Sequence, residues 1–228
     1  MVDRKILSCI NEMVSQEYPY SRGILLSGSL AAGTFSVKSD IDLIVITDRD
    51  ELIDSSIRYK RYNFDIVGGS INTLVKLIHD DCTIRRGVYA HMVGHSKVLF
   101  EVNNEASDLR TLAVSLWDNG TNVCPSHLNT YRGTIDGILA NIKNIHDDLE
   151  KCINIDGERL YVTANLVWAM TQYITHKKGR WIGGVGKWQF RHLREANTDI
   201  DDFVQACYAY LLSNDPSLLI DITAKYIS

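Results

Sequence analysis

The sequence predicts an α+β fold, with an α/β first half followed by a helical second half. Three observations carry that expectation. Short aliphatic and β-branched runs of strand length fall within the first hundred residues, at 24–26, 40–47, 61–67 and 97–100. Segments with apolar positions at helical spacing lie before and between them. After about residue 105 the strand signal stops and helical periodicity continues towards the C-terminus. The expected units are therefore 1–104 and 105–228.

Taken in order, residues 3–17 place Ile6, Ile10, Met13 and Val14 on one helical face, and Pro19 stops that helix. Ile24-Leu25-Leu26 reads as a buried strand that ends at Ser27-Gly28-Ser29, and Leu30-Ala31-Ala32 begins a brief helix before Gly33. Asp40 to Thr47 reads as a strand closed by the charged turn Asp48-Arg49-Asp50. In 61–67, Tyr62, Phe64 and Ile66 alternate with Arg61, Asn63 and Asp65, and Gly68-Gly69 ends the strand. Helices are expected at 71–80 and 83–93, and a last strand at 97–100. Downstream, helices are expected at 106–118, 127–152, 157–178, 199–213 and after Pro216, with a glycine-rich loop at 179–186. This half reads as a small mixed sheet with flanking helices, and the rest as a helical bundle packed against it.

Composition narrows the function classes. The chain has 228 residues, a formal net charge of −4 and an isoelectric point near 6.0. That balance disfavours a nucleic-acid partner held by bulk electrostatics. No stretch approaches the roughly 18 apolar residues of a membrane span, and no apolar segment of a leader follows the N-terminus. The five cysteines are scattered and never in CxxC spacing, as in a reduced, cytoplasmic protein.

The chemistry-bearing residues lie in the first half. Gly28-Ser29 follows a strand directly. A glycine there lets the backbone approach a phosphate closely, and Ser29 adds a hydroxyl donor. Asp40 and Asp42 stand two apart at the head of an apolar strand, so their carboxylates project to the same face. Two like charges so placed are costly without a cation, and hard carboxylate oxygens suit Mg²⁺. Asp65 lies opposite the apolar face of the following strand. If the two strands pair, it falls beside Asp40 and Asp42.

These residues resemble the signature of the DNA polymerase β-like nucleotidyltransferase superfamily: Gly28-Ser29, ten residues, Asp40-Ile41-Asp42, then Asp65 on a later strand. The stretch GSLAAGTFSVKSDIDLIV is similar to that of small stand-alone members, and the likeness extends over roughly 20–101. It implies that Ser29 contacts the β- and γ-phosphates of a nucleoside triphosphate. It also implies that Asp40, Asp42 and Asp65 are the catalytic carboxylates and hold two Mg²⁺ ions. The helical half resembles, more loosely, that of the kanamycin and related antibiotic nucleotidyltransferases, which implies a substrate-binding bundle. On that likeness Lys187, in Gly186-Lys187-Trp188, is a nucleotide-binding candidate, and Glu158 and Glu195 are candidates for a general base.

The implied activity is transfer of a nucleoside monophosphate, AMP from ATP, to a hydroxyl of a small molecule such as an aminoglycoside- or lincosamide-like antibiotic. Transfer to tRNA or protein, as in toxin–antitoxin systems, and a catalytically inactive nucleotide-binding module are the alternatives. The absence of a long basic stripe disfavours tRNA. Arg86-x₄-His91 has the spacing of a ribonuclease motif carried by helical partners of small nucleotidyltransferases, but it lies in the α/β half, where such a motif does not belong. No Walker A sequence is present. A monomer and a homodimer are both compatible with the sequence.

Overall fold

The computed structural model describes residues 3–36, 39–83, 86–120, 135–151, 156–181, 187–196 and 200–227. The chain divides into two compact units. One comprises Met1–Cys82 with Gly87–Asn119, the other Thr83–Arg86 with Gly120–Ser228.

The first unit opens with α1 (Arg4–Glu17), whose N-cap Asp3 accepts a hydrogen bond from the Lys5 N–H at 2.9 Å. Then follow β1 (Gly23–Leu26), α2 (Gly28–Ala32), β2 (Ile41–Ile46), β3 (Ile53–Tyr59), β4 (Tyr62–Gly69), α3 (Ile71–Thr83), α4 (Val88–Gly94), β5 (Lys97–Glu101) and α5 (Glu105–Asn119). The five strands form one mixed sheet in the order β3-β4-β2-β1-β5. Only β2 and β4 pair in parallel; the other neighbours are antiparallel.

Period-2 alternation gives this sheet two different faces. Ile41, Leu43, Val45, Phe64 and Ile66 pack with Ile6, Cys9, Ile10, Met13 and Val14 of α1 in one core cluster. Each such buried aliphatic side chain contributes about 1.5–3 kcal/mol. The opposite face carries Asp42, Ile44 and Ile46 on β2. α5 covers its far end, since a Cβ on Gly23 would stand 3.0 Å from Ile46 and 3.3 Å from Ala106. At the near end Asp42 and Asp65 stay half-exposed.

Three departures from the sequence reading concern this unit. Strand β3 lies where no strand was expected, joined to β4 by the tight turn Lys60-Arg61. Helix α5, which the sequence reading placed with the helical half, groups with the sheet. The expected helix 83–93 starts only at Val88, after Gly87 in left-handed geometry at φ 63°.

The second unit contains α6 (Ile135–Lys151), α7 (Asp156–Lys177), α8 (Lys187–Ala196), α9 (Ile200–Ser213) and α10 (Ser217–Ile227). Its core includes Ile142, Leu149, Leu166, Met170, Phe203, Tyr210 and Leu219, and the buried Tyr210 hydroxyl donates to the Leu149 carbonyl at 2.9 Å. α8 was not expected from the sequence. The expected helix 127–152 is described from Ile135 onward, and 127–134 lie outside the described residues. The architecture is α+β, as expected. No described helix is long and apolar enough to cross a membrane.

Candidate active site

The turn from β1 into α2 is fixed before any ligand is considered. The Ser27 N–H donates to the Asp42 carbonyl at 2.9 Å, and the Ser27 hydroxyl donates to the Met92 carbonyl of α4 at 2.7 Å. Ser27 occupies the N-cap position, yet its side chain makes no cap bond to α2. Gly28 follows at φ 62°, in the left-handed region that glycine adopts without strain. A Cβ on Gly28 would stand 1.7 Å from Oδ2 and 2.6 Å from Cγ of Asp42. The glycine thus leaves the space in which the Asp42 carboxylate sits. Ser29 is half-buried; its carbonyl accepts from Thr34 N–H at 2.9 Å, and its hydroxyl has no partner among the described residues.

The two strand carboxylates align. Asp42 of β2 is the register partner of Asp65 of β4, and Asp65 is in turn the partner of Ser56 on β3. All three project to the face opposite Ile41, Leu43, Phe64 and Ile66, because successive strand residues alternate. Ser56 Oγ donates to Asp65 Oδ1 at 2.7 Å. Asp40 lies one residue before β2, half-exposed and outside the ladder. Among the described residues, no group of three or more His, Cys, Asp or Glu side chains is gathered so as to hold a metal ion. The hard carboxylate donors of Asp42 and Asp65 and their shared face nevertheless fit a divalent cation, which would offset the repulsion between aligned carboxylates.

The other candidates are dispersed. Lys187 is the first residue of α8, and its side chain lies outside the described residues, as does that of Glu195. Glu158, in the first turn of α7, is exposed and lines a cavity of about 350 Å³ within the helical unit, with Asp148, Tyr161 and Asn165. Outside these candidates, Asp80 pairs with Lys76 at 3.0 Å, while buried Asp81 accepts from the Tyr89 N–H at 3.0 Å and ties α3 to α4.

Sequence reasoning missed Ser56, although its strand carries a signal. Ile53, Ser55, Ile57 and Tyr59 alternate with Asp54, Ser56 and Arg58, and burial follows that alternation. His91, read in the sequence only as part of Arg86-x₄-His91, stands four residues before His95, the C-cap of α4. Their rings stack at 4.3 Å and meet the edge of Trp117 on α5, a packing seam between the two helices.

Residues 7–78, which include Gly28, Ser29, Asp40, Asp42 and Asp65, match the nucleotidyltransferase domain family. No curated protein matches the chain. Among solved structures, the chain is similar to a nucleotidyltransferase-like protein from Exiguobacterium sibiricum 255-15. The two are 15% identical with a TM-score of 0.43, over 97% of this chain and 72% of that one.

Proposed function

We propose that this enzyme, whose residues 7–78 form a nucleotidyltransferase domain, moves a nucleoside monophosphate from a triphosphate donor to a hydroxyl of a small molecule. The observation that carries the reading is the pairing of Asp42 with Asp65 across β2 and β4, beside a turn whose glycine makes room for Asp42.

In this reading Asp40, Asp42 and Asp65 would hold two Mg²⁺ ions. When bound, such ions supply charge to the triphosphate and raise the reactivity of an acceptor oxygen. The protein's part is mostly positioning and electrostatics. Gly28 and Ser29 receive the β- and γ-phosphates, the first by close backbone approach and the second through its uncommitted hydroxyl. Lys187 stands as a nucleotide-binding candidate on the sequence resemblance alone. Oxygen of the acceptor attacks the α-phosphorus, the bond to the β-phosphate oxygen breaks, and pyrophosphate leaves. The acceptor proton passes to a carboxylate or to water; Asp65 is the candidate on the sheet, and Glu158 and Glu195 are candidates by family likeness.

ATP as donor and an aminoglycoside- or lincosamide-like acceptor, hence a role in antibiotic resistance in the cytoplasm, follow from the resemblance of the sequence to small stand-alone members. The net charge of −4 also favours a small acceptor over nucleic acid. The test is to incubate the protein with Mg²⁺ and each labelled nucleoside triphosphate against hydroxylated antibiotics, total tRNA and cell protein. Label on an antibiotic is expected, and label on RNA or protein instead would overturn the small-molecule assignment. No label transfer to anything, with the triphosphate left intact, would favour an inactive nucleotide-binding module.

A further inference from the structure

We propose that Ser56 is a positioning residue for Asp65: its hydroxyl fixes Oδ1, so that Oδ2 is the oxygen presented to a divalent cation. The proposal rests on the metal reading above and adds to it a residue on a strand that the site motif does not include.

Three observations support it. Ser56 Oγ donates to Asp65 Oδ1 at 2.7 Å, a short bond between a neutral donor and a carboxylate. The two residues are register partners, so the backbone ladder rather than a flexible loop sets their separation. The adjacent hydroxyl is used differently. Ser55 points to the opposite face, where it stands 3.3 Å from the Tyr18 hydroxyl at the end of α1. Neighbouring serines on β3 therefore serve two faces, one fastening the strand to α1 and the other holding a carboxylate.

The physical consequence follows from what an ionised carboxylate can do. With both oxygens free it rotates about its terminal torsion and meets a cation in several geometries. With one oxygen bonded to a fixed donor, it offers the other in a restricted direction and loses less freedom when metal binds. Hydrogen-bonding partners of ligating carboxylates change metal affinity or activity by roughly 10–100-fold when removed.

Ser55 supplies the internal control. Mn²⁺ binding, read by the electron paramagnetic resonance of free ion, is compared for the full-length protein and for Ser56→Ala, Ser56→Thr, Ser55→Ala and Asp65→Asn, each with a non-hydrolysable ATP analogue. Thermal melting of every variant accompanies the titration. The expected result is about tenfold weaker Mn²⁺ binding for Ser56→Ala, recovery to within about twofold for Ser56→Thr, which keeps the hydroxyl, and no change for Ser55→Ala. Wild-type Mn²⁺ affinity in Ser56→Ala beside clear loss in Asp65→Asn would overturn the proposal and leave the metal reading standing. Lowered melting temperature with unchanged affinity would also overturn it, because the bond would then serve only the sheet. Wild-type affinity in Asp65→Asn itself would instead overturn the assignment of Asp65 as a ligand, on which the role of Ser56 depends.

Discussion

The carboxylate of Asp42 occupies the space that any side chain at Gly28 would need, with Oδ2 only 1.7 Å from the position of a Cβ there. Gly28→Ala therefore carries two penalties. Left-handed backbone costs a non-glycine residue about 1–2 kcal/mol, and the new methyl displaces the carboxylate or the turn. Gly33→Ala separates these effects, because Gly33 is also left-handed at φ 77° but has nothing within 4 Å of its would-be Cβ. Both variants are expected to melt earlier. Only Gly28→Ala is expected to lose nucleotidyl transfer, by about a hundredfold, as ångström-scale misplacement does. Equal activity in the two variants would show that the close approach has no catalytic consequence.

Asp42→Asn and Asp65→Asn test the aligned pair without removing volume. Each keeps the shape of the side chain and cancels one of two facing charges. Pyrophosphate release is expected to fall by at least about a hundredfold in each, the scale seen when a charge-stabilising group is lost. Retention of activity in Asp42→Asn would remove the basis of the metal assignment.

Much of the sheet was legible because its signals are local. Phe64 and Ile66 alternate with Asp65, as Ile41 and Leu43 do with Asp42, so one parallel pairing sets both carboxylates on one face. The same logic reached β3 only weakly. Its turn, Lys60-Arg61, contains neither glycine nor asparagine although Lys60 adopts φ 53°, so the usual hairpin marker is missing. Ser55 and Ser56 at its centre further dilute the apolar alternation. Helix α5 illustrates a different limit. Its periodicity identifies the face that Ala106, Leu109, Ala113 and Leu116 bury, but nothing in a periodicity states which core receives that face. In α8 Leu193 and Gln189 are buried, but its ten residues are shorter than the window over which helical periodicity is read. Lys187 and Glu195 were nominated through family likeness, which carries roles but no coordinates.

The thiol of Cys207 gives a prediction for the helical unit. Burial among Leu and aromatic side chains of the bundle pushes its pKa up from 9.0 to about 12, because the thiolate is poorly solvated there. The folded value lies above the unfolded one, so the folded state keeps the proton longer. Stability from this group is full below about pH 9 and is lost as the pH rises towards 12. Melting temperature is expected to fall over that window in the wild type, and to fall less in Cys207→Ala at equal reference pH. Labelling of Cys207 by a thiol reagent at neutral pH, read by peptide mass, is expected only after denaturant is added. Rapid labelling of the native protein would contradict the burial.

The extent of the catalytic unit can be tested by truncation, and α5 decides the outcome. A chain ending at residue 104 loses Glu105, whose carboxylate is held below the usual range by hydrogen bonds from Arg22, including one from Nε at 2.9 Å. It also loses Ala106, Leu109, Ala113 and Leu116, all buried. Two leucines and two alanines contribute roughly 5 kcal/mol on the usual scale of apolar burial, comparable with the whole stability of many domains. Their loss would also uncover the sheet face opposite α1 near Gly23 and Ile46. Residues 1–119 are therefore expected to give a cooperative thermal transition, and residues 1–104 to give none or to aggregate. Circular dichroism melting of the two fragments at equal concentration is the measurement. A cooperative transition for 1–104 at the temperature of 1–119 would show that α5 belongs energetically with the helices that follow it.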